Sequence, residues 1–231
     1  FNLEPYPLDM AIITESNKAD WDAQVTFIQK QLTSQVIDEA FSHFPAEITK
    51  KTILNIKRKL KGRIQNLSKI SNEYFKYITK FSVITGTDKD DYFEIERRAN
   101  GITNVTGYRI KKGEKAAIFH QKNYHPKRTK EIWIYGLDDV DTFKVFGDHT
   151  AGSVVRIIGG QNNDVYNILN GQRVKMYDYK TKKNTFLTKK GRKKLSDSYD
   201  RNVYDHKKLK YNTTKALPTF AINPDDGLKL G

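Results

Sequence analysis

Apolar positions along the chain change their spacing once, near residue 80. From Asn17 onward they recur every three or four residues: Trp21, Val25, Ile28 and Leu32 share one helical face, and Asn17 with Asp20 forms an N-terminal capping pair. A second short helix is predicted over 34–43, burying Ile37, Ala40 and Phe41 before Pro45 intervenes. The longest helical pattern covers 49–80, with allowance for a break. In it Ile53, Ile56, Leu60, Ile64, Leu67, Tyr74, Phe75 and Ile78 fall in one stripe. Beyond it the period shortens to two. Phe81-Ser-Val83-Ile84, Ile132-Trp-Ile134-Tyr135 and Val155-Arg-Ile157-Ile158 read as strands.

Each of these strands leads into the same pattern: a glycine, four residues, an acid, a spacer, an aromatic, a spacer, a β-branched residue. It occurs at Gly86, Asp91, Phe93 and Ile95, at Gly136, Asp141, Phe143 and Val145, and at Gly159, Asp164, Tyr166 and Ile168. A decayed fourth copy follows at Asn184-Thr-Phe186. Each copy parses as strand, turn, strand. The glycine is expected to take a positive φ at the turn, and the aspartate to accept bonds from amides of its own turn. A single unit of this size cannot bury its apolar face, so the copies predict a stacked β-coil. The longer first interval leaves room for a hairpin between 96 and 130, with strands at 102–110 and 115–120 and Asn100-Gly101 as a turn signal. The fold class is thus α+β: amphipathic helices over 1–80, then a repeat-containing β-solenoid or stacked-sheet domain over 81–195, then a basic extended tail over 196–231.

The copies also look like the calcium-binding nonapeptide of β-rolls, in which the second and fourth positions are glycines. Here Thr87, Leu137 and Gly160 fill the second position and Lys89, Asp139 and Asn162 the fourth. A lysine sits badly beside calcium, so the turn reading is preferred and no cofactor is assigned. Asp139, Asp141 and Asp164 stay as minor calcium candidates.

Charge adds a partner class. The 231 residues carry 41 Lys and Arg against 27 Asp and Glu, a net charge of +14 that favours anionic partners. Arg58, Lys59, Lys61 and Arg63 invite a nucleic-acid reading, but no helix-turn-helix, zinc-finger or aromatic RNA-binding signature accompanies them. They are read as a solvated helix face. The lysine-rich segment after the copies makes Lys189, Lys190, Arg192, Lys193 and Lys194 candidate anion contacts, with anionic lipid head groups as one partner class. Residues 198–215 read as a long loop ordered by another surface, and His120 and His125 as isolated surface histidines. There is no cysteine, which excludes disulfides and thiolate metal sites, and no apolar run of membrane-spanning length. The first residue is Phe rather than Met and the sequence contains no signal-peptide pattern, so the chain reads as a piece of a longer protein.

Four stretches carry a resemblance: Thr87-Asp-Lys-Asp-Asp-Tyr-Phe93, Thr129-Lys-Glu-Ile-Trp-Ile-Tyr-Gly-Leu-Asp-Asp139, Arg156-Ile-Ile-Gly-Gly-Gln-Asn-Asn-Asp164 and Asn223-Pro-Asp-Asp-Gly-Leu-Lys229. Together they resemble the region of Gram-negative outer-membrane proteins that connects a calcineurin-like metallophosphoesterase domain to a surface-antigen type β-barrel. The resemblance implies a cell-envelope location, an outer-membrane barrel or envelope complex as partner, and a terminal run that leads into the first barrel strand. The signatures of the enzyme itself are not in this segment: the nearest string, Gly147-Asp148-His149-Thr150, lacks the asparagine and partner ligands of a binuclear site. No Gly-x-Ser-x-Gly elbow occurs either. The leading expectation is a non-catalytic connecting or interaction domain. One alternative is an accessory part of a phosphoester hydrolase that contributes basic substrate contacts; another is a free-standing anion or nucleic-acid binder.

Overall fold

In the computed structural model, which describes residues 9, 13, 16–45, 47–207, 220–223 and 227–230, helices come first and sheets follow. Helix α1 (Lys18–Gln31) opens with the capping box expected of Asn17 and Asp20: the Asn17 side chain accepts from two first-turn amides, and the Asp20 carboxylate accepts from the Asn17 N–H at 2.8 Å. Thr33 caps α2 (Ser34–Ser42). The long pattern is two helices, α3 (Lys50–Gln65) and α4 (Leu67–Ile78), broken at Asn66, whose side chain donates to Gly62 O.

The expected apolar stripe over 49–80 is buried only at its end. Phe75 and Ile78 are enclosed, whereas α3 has no buried residue and Ile56 stays exposed. The physical reason is the partner available to each half. Ile78 packs with Phe81, Val83 and Trp133 against a sheet, and Trp21 of α1 closes over Phe75 with ring centroids 5.5 Å apart. Helix α3 packs against α1, α2 and α4 instead. On its basic side, Lys57 and Lys61 both reach Asp38.

The strands that follow are β1 (Phe81–Thr85), β2 (Asp91–Arg97), β3 (Thr103–Lys111), β4 (Glu114–Tyr124), β5 (Glu131–Leu137) and β6 (Thr142–Phe146). They continue as β7 (Val154–Gly160), β8 (Val165–Ile168), β9 (Val174–Asp178), β10 (Thr185–Phe186) and β11 (Arg192–Leu195), then a short helix α5 (Tyr199–Asn202). Finally β12 (Phe220–Asn223) and β13 (Gly227–Leu230) pair with each other, antiparallel. One sheet has the order β1-β5-β7-β9-β11, all parallel. The other has the order β10-β8-β6-β2-β3-β4, parallel from β10 to β2 and antiparallel where the expected hairpin extends it.

Register places like residues beside like. Phe93 pairs with Phe143, Phe143 with Tyr166, and Tyr166 with Phe186. Their rings stack at centroid separations of 5.3, 5.4 and 4.9 Å. Ile95, Val145 and Ile168 form a second row two residues on, facing Ile132, Ile134, Val155, Ile157 and Met176 of the other sheet. This interior between the sheets is the main core. Each such side chain taken out of water contributes about 1.5–3 kcal/mol.

The hairpin turns at Lys112 and Gly113, both at positive φ, while Asn100 and Gly101, also at positive φ, sit in the β2–β3 connection. Two expectations need correction. His120 is buried rather than on the surface, with Nε2 3.1 Å from Tyr124 Oη, because its strand position faces inward; His125 is exposed. Residues 199–202 form a helical turn rather than loop, held by buried Asn202, which donates to Ser196 O. The rest of that loop reading, from 208 on, lies outside the described residues.

Candidate functional site

The aspartates and glycines of the sequence pattern meet along one edge of the core. Gly86, Gly136 and Gly159 do not take the positive φ expected of them; that conformation falls on Leu137, Asp139 and Gly160 nearby. Their role is space. A Cβ on Gly136 would lie 2.1 Å from Asp141 Oδ2 and 2.3 Å from Gly159 O. On Gly159 it would lie 2.2 Å from Asp164 Oδ2, and on Gly86 2.8 Å from Asp91 Oδ2. The acid five residues onward fills the volume that a side chain would need. That is why the two residue types travel together.

The aspartates also do something other than expected. Only Asp91 serves its own turn, accepting from Thr87 N at 2.6 Å, while its other oxygen pairs with Arg109 at 3.0 Å. Asp141 Oδ1 instead accepts the N–H of Asp91 at 2.8 Å, and Asp164 Oδ1 the N–H of Asp141 at 2.9 Å. Asn184 accepts the N–H of Asp164 at 2.8 Å, so the decayed copy keeps the acceptor without the charge. Parallel pairing puts each acid beside the next one's backbone rather than above its own turn. Asp178, which the sequence reading passed over, joins the group: its Oδ2 accepts from Tyr166 Oη at 2.5 Å. Its signal was its place after Val174 and Met176 on the inward face of β9.

Burial sets the electrostatics. Asp141 is fully enclosed, and desolvation, followed by the neighbouring Asp164 charge, pushes its pKa up to about 9. Desolvation and the charge of Asp178 push Asp164 up to about 8. Asp178 is raised as well, again chiefly by burial, and Tyr166 lies well above an ordinary phenol. Among the described residues the Oδ2 atoms of Asp141 and Asp164 have no hydrogen-bond partner. A proton on each carboxyl removes both the repulsion and the cost of an enclosed anion. Asp141 and Asp164 are therefore neutral acids at pH 7, enclosed away from solvent.

The three calcium candidates are divided. Asp141 and Asp164 adjoin, with Oδ2 atoms pressed against glycines, but Asp139 lies at the surface beside Lys89, 3.5 Å away. The anion candidates are divided too. Arg192 and Lys194 line up with Lys175 and Tyr177 on the outer face of the parallel sheet. Lys193 lies 3.6 Å over the Phe186 ring at the end of the aromatic row, and Lys190 donates to Leu169 O. Lys189 is exposed. On the same outer face Arg156 forms a bidentate pair with Glu131, at 2.8 and 3.1 Å, and its guanidinium packs on Trp133 and Tyr177. Comparison of the chain with family models, with curated proteins and with solved structures returned no match.

Proposed function

We propose that the chain is a non-catalytic connecting or interaction domain in which residues 81–195 form a short β-solenoid. Its task is to hold an attached enzyme domain or a partner at a set distance from an outer-membrane β-barrel. The observation that carries this reading is the parallel register. Strands β1, β5, β7 and β9 follow one another in chain order in one sheet, as β2, β6, β8 and β10 do in the other. Each pass of the chain then advances one strand spacing, about 4.8 Å, along a common axis. Because the aromatic, β-branched and acidic positions all keep that register, bending the axis would open several rows at once. A unit of this kind acts as a stiff spacer, with the helices packed on its outer face at the β1 side.

The envelope setting rests on the resemblance of the four stretches quoted above. An antiserum raised against the chain tests it on fractionated cells. The epitope should sit in the outer-membrane fraction, on a polypeptide longer than this chain whose gel mobility changes on boiling, as barrels do. An epitope confined to the cytoplasm, on a polypeptide no longer than this chain, would overturn the reading.

A further inference from the structure

Strand β11 closes the parallel sheet, and among the described residues no strand lies on its far side. Ser196 donates its N–H to Asp178 O on the β9 side. Backbone amides alternate along a strand, so the N–H of Leu195 points to the open side. An edge of this kind is a template for a further strand.

The two faces of that edge differ. On the outer face Arg192 stands beside Lys175, and Lys175 beside Arg156. Arg156 is matched by Glu131, whereas Lys175, Arg192 and Lys194 form no ion pair among the described residues. Burial and then the Arg156 charge lower the Lys175 ammonium below the ordinary lysine value. On the inner face Leu195 is 37% exposed, and Lys193 shares that face, lying over the Phe186 ring. Cations alone on the outer face, with an uncovered leucine beyond Lys193 on the inner one, call for a strand with carboxylates on its outer side and an apolar residue opposite Leu195.

We infer that β11 accepts an extended acidic strand of a partner protein, paired edge to edge, with carboxylates facing Arg192 and Lys194 and apolar side chains facing Leu195. A second copy of this chain would bring the same cations against themselves, so the charge that recruits an acidic strand opposes self-pairing. The inference rests on the edge and its charges and holds whether or not the protein sits in an outer membrane.

The test uses the whole chain and a fluorescent peptide of about six to ten residues that alternates Glu with Val. A second peptide of identical sequence, N-methylated at alternate residues, keeps the charge and blocks pairing. Fluorescence anisotropy should show binding of the first peptide, at least tenfold weaker binding of the second, and weakening of both by moderate salt. The double variant Arg192→Glu, Lys194→Glu should bind the first peptide at least tenfold less well. Leu195→Pro, which removes the outward N–H at an edge where proline is tolerated, should do the same with an unchanged melting temperature. Equal affinity for the two peptides would overturn the inference, since charge alone would then suffice. So would binding of phosphatidylglycerol vesicles without binding of the peptide, or self-association of the unliganded chain that Leu195→Pro abolishes.

Discussion

Two columns run through the β region in the same register, and opposite physics governs them. In one, Phe93, Phe143, Tyr166 and Phe186 stack ring on ring; in the other, Asp91, Asp141 and Asp164 line up acid by acid. The pairing geometry is the same for both, because a parallel register sets like beside like. For the rings that is favourable without further adjustment, since offset stacking adds to burial. For the carboxyls it brings like charges together in an enclosed space, and only Asp91 has a cation beside it. Asp141 and Asp164 gain their place by accepting a neighbour's backbone N–H and by holding protons. An ordered acidic row inside a β core is thus a hydrogen-bonding device whose charge is suppressed.

The largest effect should come from the glycine that gives the acid its room. Gly136→Ala sets a Cβ against both Asp141 and the backbone of Gly159, which cannot move aside as a flexible side chain would. Denaturant unfolding should show a loss above about 3 kcal/mol or no folded protein, in the range of overpacking and strain combined. Next is the aromatic column. Phe143→Ala, in the middle of the row, should cost about 3–5 kcal/mol by the same measurement, through lost burial and an unfilled cavity.

The acid column should respond less, and in a way that separates shape from charge. Asp141→Asn keeps the acceptor for the Asp91 N–H while removing the ionisable group, so it should lie within about 1 kcal/mol of the parent near pH 4 and be the more stable of the two at pH 7, where only the parent's unfolded state gains by ionising. Asp141→Ala leaves that amide unpaired and should be about 1–3 kcal/mol less stable than Asp141→Asn at the same pH. The pH dependence has a definite sign. Folded Asp141 and Asp164 titrate near 9 and 8, above the unfolded value, so their stabilising contribution is full below the unfolded pKa and is lost as pH rises through the folded one. Over pH 5–8 the parent should lose up to about 1.4 kcal/mol per pH unit for each such group, and the double variant Asp141→Asn, Asp164→Asn should show a flatter profile. The smallest effect is the converse glycine. Gly62 lies within α3 with nothing close to its added Cβ, so Gly62→Ala should stabilise by about 0.5–1 kcal/mol, which calorimetry can resolve.

Much of this was legible in the sequence because it repeats at short range. The caps at Asn17 and Thr33 are local, and the alternation around Phe93, Phe143 and Tyr166 marks inward positions without reference to the rest of the chain. The link between Gly136 and Asp141 was also visible as a spacing. Its reason was not, because the contact forms only once the chain has turned back on itself. Asp178 escaped notice since Arg173, not glycine, precedes it by the usual interval. The half-buried stripe on α3, with Ile56 exposed, shows the limit of periodicity: it reports an apolar face and not how fully it is covered. A run of adjacent lysines, one patch in the sequence, alternates sides in a strand. Lys193 and Lys194 therefore point to opposite faces of β11.

The most direct test of the acid column is the ionisation of its middle members, read by NMR from the side-chain carboxyl carbons of isotopically labelled aspartate, with Asp141→Asn and Asp164→Asn assigning the signals. The expected result is that both carboxyls are protonated at pH 7 in the folded protein and titrate near 9 and 8. Carboxylate signals for Asp141 and Asp164 at pH 7, titrating near the ordinary aspartate value of about 4, would contradict the account.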